Sequence, residues 1–198
     1  MKRMLIAVCM MLSLGSAAFG QKLTAEDREK GVKYLEQSRQ GIIDATKGLS
    51  EAQWKFKPAP DRWSVAEVLE HITLAEKFMY GAAEGTLKAP AGAPDRDYKK
   101  TDAAILGNVP DRSTKRQAPD QLVPTGRWSP KDTLDTFLKE REQSITLMKD
   151  SQELRAHVSD SPFGPMDSYE WLLFTSAHSE RHTKQILEVK ADPNFPKS

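Results

Sequence analysis

Four segments of this chain carry apolar residues at helical spacing, and none alternates apolar and polar residues in the manner of a strand. The first begins near Thr24 and places Val32, Leu35, Ile42, Ile43 and Leu49 on one face. The second opens at Ser64, carries Val65, Val68, Leu69, Ile72 and Met79, and is predicted to end near Tyr80. The third starts at Ser129, with Pro130 in the first helical position, and runs through Leu134, Phe137, Leu138, Ile145 and Met148. The fourth follows Pro165, takes Asp167 or Ser168 as its cap, carries Trp171, Phe174, Ile186 and Val189, and stops near Ala191. Ser64 with Glu67, and Asp167 with Glu170, have the spacing of capping boxes. Amphipathic helices of this kind bury their stripes only against one another, so the pattern predicts an all-α, four-helix bundle.

The connections differ in kind. Two prolines within Lys57-Pro58-Ala59-Pro60 end the first hairpin region, where Trp54 and Phe56 are placed to plug one end of the core. Residues 81–127 hold Pro90, Pro94, Pro110, Pro119, Pro124 and several glycines, with room for one short helix around Thr101–Leu106. A connection this long is either a functional lid or a mobile loop, and the residues leave both readings open. The stretch from Ser151 to Pro165 reads as a polar linker, with His157 on the surface among Arg155, Ser159 and Asp160.

The first twenty residues read as a secretory signal peptide. Lys2 and Arg3 precede an apolar run from Met4 to Leu14, and Ala18 and Gly20 occupy the small positions before a cut ahead of Gln21. The expected location is therefore a periplasm or the exterior, with no stable membrane insertion after cleavage. The mature chain would hold about 178 residues and no cysteine, since Cys9 lies in the leader. Disulfides, cysteine–zinc sites and cysteine nucleophiles are excluded in it. Removing Lys2 and Arg3 leaves 27 basic against 28 acidic residues, a balance with no footprint for nucleic acid or an anionic membrane.

Function points to the histidines. The chain has four. His178 and His182 stand four residues apart, about 40° apart around a helix, in the apolar stripe of the last segment. His71 borders the stripe of the second. Polar rings in apolar stripes need partners. Three neutral imidazoles facing one another from two helices would suit a divalent transition metal with an open position. They could instead form a hydrogen-bonded polar core. Glu180 lies two residues after His178, about 200° around the helix, so the segment is not the His-Glu-x-x-His arrangement of zinc proteases. Glu67, one turn before His71, could orient that ring from behind or serve only as the partner of the Ser64 cap. Gln185 could line the pocket or merely pack.

Trp63-Ser64-Val65-Ala66-Glu67-Val68-Leu69-Glu70-His71-Ile72 resembles the Trp-Ser-x-x-Glu-x-x-x-His motif of the DinB-like superfamily, and His178-x-x-x-His182-x-x-Gln185-Ile186 resembles its second motif. The likeness extends from about Lys22 to Val189, and we delimit the domain as residues 22–193. The resemblance implies a bundle of DinB type, up-down-down-up, with a long irregular connection between its second and third helices. It further implies zinc or nickel held by His71, His178 and His182, and frequent homodimers. Some relatives transfer thiols such as bacillithiol or isomerise maleylpyruvate with mycothiol; the export signal is a departure from those cytosolic enzymes. Two functions are expected. One is a metal-dependent hydrolase or thiol transferase acting on a small molecule. The other is a non-catalytic bundle that binds metal, ligand or partner.

Overall fold

The computed structural model describes residues 22–93, 95–161 and 163–197; the expected leader and its cleavage point after Gly20 lie outside them. Four long helices form the body: α1 (Ala25–Thr46), α3 (Val65–Thr86), α5 (Pro130–Asp150) and α6 (Ser168–Lys190). Two short helices join them, α2 (Glu51–Lys55) and α4 (Tyr98–Asn108). A two-stranded antiparallel pair, β1 (Val158–Ser159) with β2 (Met166–Asp167), precedes α6. No described helix is long and apolar enough to cross a membrane.

The helix starts follow from their caps. Thr24, Ser64, Ser129 and Asp167 each accept a hydrogen bond from the backbone N–H three residues on. Glu67 and Glu170 return the bond to the cap residue, completing two boxes. Gly48, with φ of +71°, turns the chain after α1, a conformation other residues adopt at a cost.

Side-chain pairs fix the helix directions. Along α3 and α5, Thr73 meets the Thr133 carbonyl and Glu76 meets Arg141, so the two run parallel. Along α1 and α6, Tyr169 bonds the Asp27 carbonyl and Lys190 bonds the Ala45 carbonyl, so these also run parallel. Ser168 of α6 bonds the Ala83 carbonyl of α3, and Arg39 of α1 pairs with Glu142 of α5; both contacts are antiparallel. The result is up-down-down-up. The parallel α3/α5 step explains the long link between them. A 22-residue helix is about 33 Å long, and the chain must travel back that distance before α5 begins.

That link is more regular than its prolines and glycines suggest. α3 continues six residues past Tyr80 to Thr86 because Ala83 and Thr86 are buried, with Ser168 of α6 donating to the Ala83 carbonyl and the Thr86 hydroxyl bonding Ser159 of β1, which outweighs the cost of Gly81 and Gly85. α4 then spans more than the expected Thr101–Leu106, and a single 3-10 turn covers Asp120–Leu122. The linker after α5 is also structured. Arg155 is buried between the rings of Tyr98 and Tyr169 and ion-pairs with Asp102 and Asp167, fastening α4 to the start of α6. His157 is half-buried rather than on the surface, because its Nδ1 donates to the Ala89 carbonyl at 2.7 Å.

The core has two apolar clusters. One gathers Leu35, Met79, Ile145, Met148, Leu172 and Leu173. The other gathers Ile42, Val68, Leu69, Phe137, Ile186 and Val189, with Trp54 and Phe56 packed against it. Between them lies a polar layer built on Glu76 and Arg141, both fully buried. The three inward histidines fall at this same break on α3 and α6.

Candidate metal centre

His71 comes from the second turn of α3, and His178 and His182 from successive turns of α6. Their ligand nitrogens lie within 4.8 Å of one another. The Nε2 atom of His178 is 3.3 Å from Nε2 of His71 and 3.2 Å from Nε2 of His182. His71 and His182 are buried, at 3% and 8% exposure, while His178 keeps a partly open edge. Aromatic rings flank them: Trp63 lies 4.9 Å from His71, and Phe174 is stacked at 6.1 Å from His178.

The outer ring atoms fix the tautomers. His71 Nδ1 donates to the Leu122 carbonyl at 2.8 Å. His182 Nδ1 donates to Gln185 Oε1 at 2.7 Å, an oxygen that also accepts from Arg112. Both rings therefore carry their proton on Nδ1 and turn the Nε2 lone pair inward. Hydrogen bonding alone does not satisfy this arrangement. A proton on His178 Nε2 could serve one of its two neighbours and would leave the other contact lone pair against lone pair. The buried His178 Nδ1 has no partner whichever group its Nε2 faces, so the Nε2 contacts decide the matter. A cation at the convergence point accepts all three lone pairs, so the residues fit a divalent metal.

Electrostatics favour the same state. Burial lowers the pKa of His71, only partly offset by its bond to Leu122. Burial and then the neighbouring His182 and His71 hold His178 well below the usual histidine value. Burial and then His71 push His182 down to about 3. All three are neutral near pH 7, as metal ligation requires.

The sign of the pH dependence follows. As pH falls below about 6.5, the unfolded chain takes up protons that the native rings refuse, so the metal-free protein loses stability. Glu170 and Asp102, whose carboxyls are pushed upward chiefly by burial, oppose this with two protons against three. Melting temperatures of chelator-treated protein are expected to fall steadily from pH 7 towards pH 5. A flat profile would mean that the imidazoles are not held neutral.

Of the other residues expected here, Gln185 takes the orienting position behind His182. Glu67 does not do so for His71. Its carboxylate bonds the Ser64 backbone N–H at 2.7 Å and pairs with Lys57, while His71 finds its outer partner in Leu122. Glu180 is exposed and pairs with Lys184. Three participants escaped the sequence pattern: the Leu122 carbonyl, Arg112 and Glu70. A backbone carbonyl has no sequence signature. Glu70 had one, since it stands as a charge within Val68-Leu69-Glu70-His71-Ile72 and is only 3% exposed.

The chain is 28% identical over 148 residues to the uncharacterized protein YuaE of Bacillus subtilis (strain 168), covering 73% of this chain and 87% of that protein. Among solved structures it is similar to YfiT from Bacillus subtilis, a probable metal-dependent hydrolase with an unusual four-helix bundle topology. The TM-score is 0.60 at 15% identity, over 88% of this chain and 91% of that one, a likeness of fold. The model of the DinB superfamily matches residues 34–186, and with the fold and the two histidine motifs in place the chain belongs to that superfamily.

Proposed function

We propose that this protein is an exported, metal-dependent hydrolase acting on a small molecule. The observation that carries the reading is the convergence of three neutral imidazoles, two of them oriented from behind, on one point. The description of YfiT as a probable metal-dependent hydrolase supports the reaction class. Zinc or nickel suits an all-imidazole donor set. When bound, such an ion supplies Lewis acidity, which polarises carbonyl or phosphoryl oxygens and favours an ionised nucleophile near neutral pH.

The chain's own residues do the rest. His71, His178 and His182 hold the ion. Leu122 and Gln185 lock two of the rings. Trp63 and Phe174 wall the triad with apolar surface, which suits a substrate with an apolar part beside its polar reacting group. Export is supported by the basic, apolar and small-residue sequence of positions 1–20.

A second reading, metal binding without catalysis, draws on one observation. Glu67 and Glu70, the carboxylates nearest His71 in sequence, are both committed to structural bonds and supply no free general base. A panel of ester, amide, phosphoester and thiol-transfer substrates separates the two. Turnover of hydrolysable substrates by the metal-loaded protein, abolished by chelation and by His182→Ala, is the expected result. Turnover confined to thiol transfer would replace hydrolysis with thiolate chemistry, and none at all would favour the binding role.

A further inference from the structure

The segment from Val109 to Arg127 is tied down along the histidine edge of the bundle by residues of both α3 and α6. At one end, Arg181 of α6 donates to the carbonyls of Val109, Asp111 and Thr114. Arg112 reaches back to α6, bonding Glu188 through two nitrogens at 2.6 Å and touching Gln185. At the other end, Glu70 of α3 accepts from the backbone N–H groups of Thr125 at 3.0 Å and Gly126 at 2.8 Å, and from Arg127. Between the two lies Leu122, whose carbonyl holds His71. The strap thus stands behind two of the three ligands, directly at His71 and through Arg112 and Gln185 at His182.

Glu70 and His71 are consecutive residues that bond the same strap three residues apart. The strap's register on α3 is set by the Glu70 carboxylate, because two backbone N–H groups converge on it. If that clamp loosens, Leu122 moves and His71 loses the acceptor that fixes its tautomer.

We propose that Glu70 is a positioning residue for the metal centre, acting through the strap, so that metal binding and strap closure are coupled. The inference rests on the metal reading above. Outer partners of metal-bound histidines are worth roughly 10- to 100-fold in affinity. By linkage, metal should protect the strap by the same factor that strap closure strengthens metal binding.

The test is a zinc titration against a chromophoric chelator on the full mature protein. Glu70→Gln keeps the size of the side chain and weakens the clamp. It is expected to lower zinc affinity about tenfold or more, while Thr24→Ala, which removes the distant cap of α1, lowers stability and leaves affinity unchanged. Hydrogen exchange on the unaltered protein gives an independent reading should Glu70→Gln not fold. The Thr125 and Gly126 amides are expected to exchange about tenfold more slowly with zinc than without. Wild-type affinity in Glu70→Gln, or equal exchange in the two states, would overturn the coupling and leave the metal site standing. Absence of zinc binding by the wild-type protein would remove both.

Discussion

A protein with alanine at position 178 is expected to keep its helices and lose its metal. His178 is a shared vertex of the triad, its Nε2 3.3 Å from that of His71 and 3.2 Å from that of His182. Its removal leaves two ligands whose nitrogens were held at that vertex. The packing of α6 does not depend on it, since Leu172, Leu173, Ala177 and Ile186 carry the buried contacts. The affinity loss should exceed the roughly 10- to 100-fold cost of losing an outer partner. Thermal stability provides the readout. Zinc at about a hundred times the wild-type Kd stabilises the native state by about 2.7 kcal/mol; a variant binding at least a hundredfold more weakly gains about 0.4 kcal/mol or less. Circular dichroism at 222 nm should be unchanged between the two. A variant that gains the full increment would show that His178 is not a ligand.

The second large effect lies in the polar layer between the two apolar clusters. Arg141 is fully buried and donates to Glu76 through Nε and Nη2, at 2.8 and 2.6 Å. It also bonds the Leu35 carbonyl, Ser38 and Ser179, and stands over the Phe137 ring. One side chain therefore ties together all four long helices. Replacing it by alanine leaves the Glu76 carboxylate buried without its counter-charge, which costs about 3–5 kcal/mol. In a domain of this size that corresponds to a melting temperature lower by roughly 6–20 °C. The double substitution Arg141→Met with Glu76→Leu should recover most of the loss, because the unpaired charge is gone and the volume is kept. Additive losses in the double variant would mean that the two residues act separately.

The bundle was legible because its information is periodic and local. Stripes of Val, Leu, Ile and Phe announce helices, and Ser64, Ser129 and Asp167 announce their starts. The polar layer was legible in principle as well. Glu76 and Arg141 occupy stripe positions, four residues after Ile72 and Phe137, where an apolar residue would be expected. They are gaps in the pattern of the same kind as His71, His178 and His182, and differ in finding each other rather than a metal. Other features left no such trace. α2 and the β1/β2 pair are too short for periodicity to register. Glycines and prolines disguised the end of α3 and the extent of α4, since propensity there is overridden by burial of Ala83, Thr86 and Ile105. At the site, the ligands were legible as side chains, whereas the strap acts on His71 through a main-chain carbonyl. Glu67 shows the converse: a residue with two plausible roles, whose capping role the backbone geometry selects.

The proposed function stands on the three histidines holding one divalent metal ion. Elemental analysis of the purified protein, before and after reconstitution with zinc or nickel and removal of excess, decides this. One equivalent of metal per chain, absent from His71→Ala and His178→Ala, is the predicted result. A protein that stays metal-free after reconstitution, or binds equally well without His71 and His178, would contradict it.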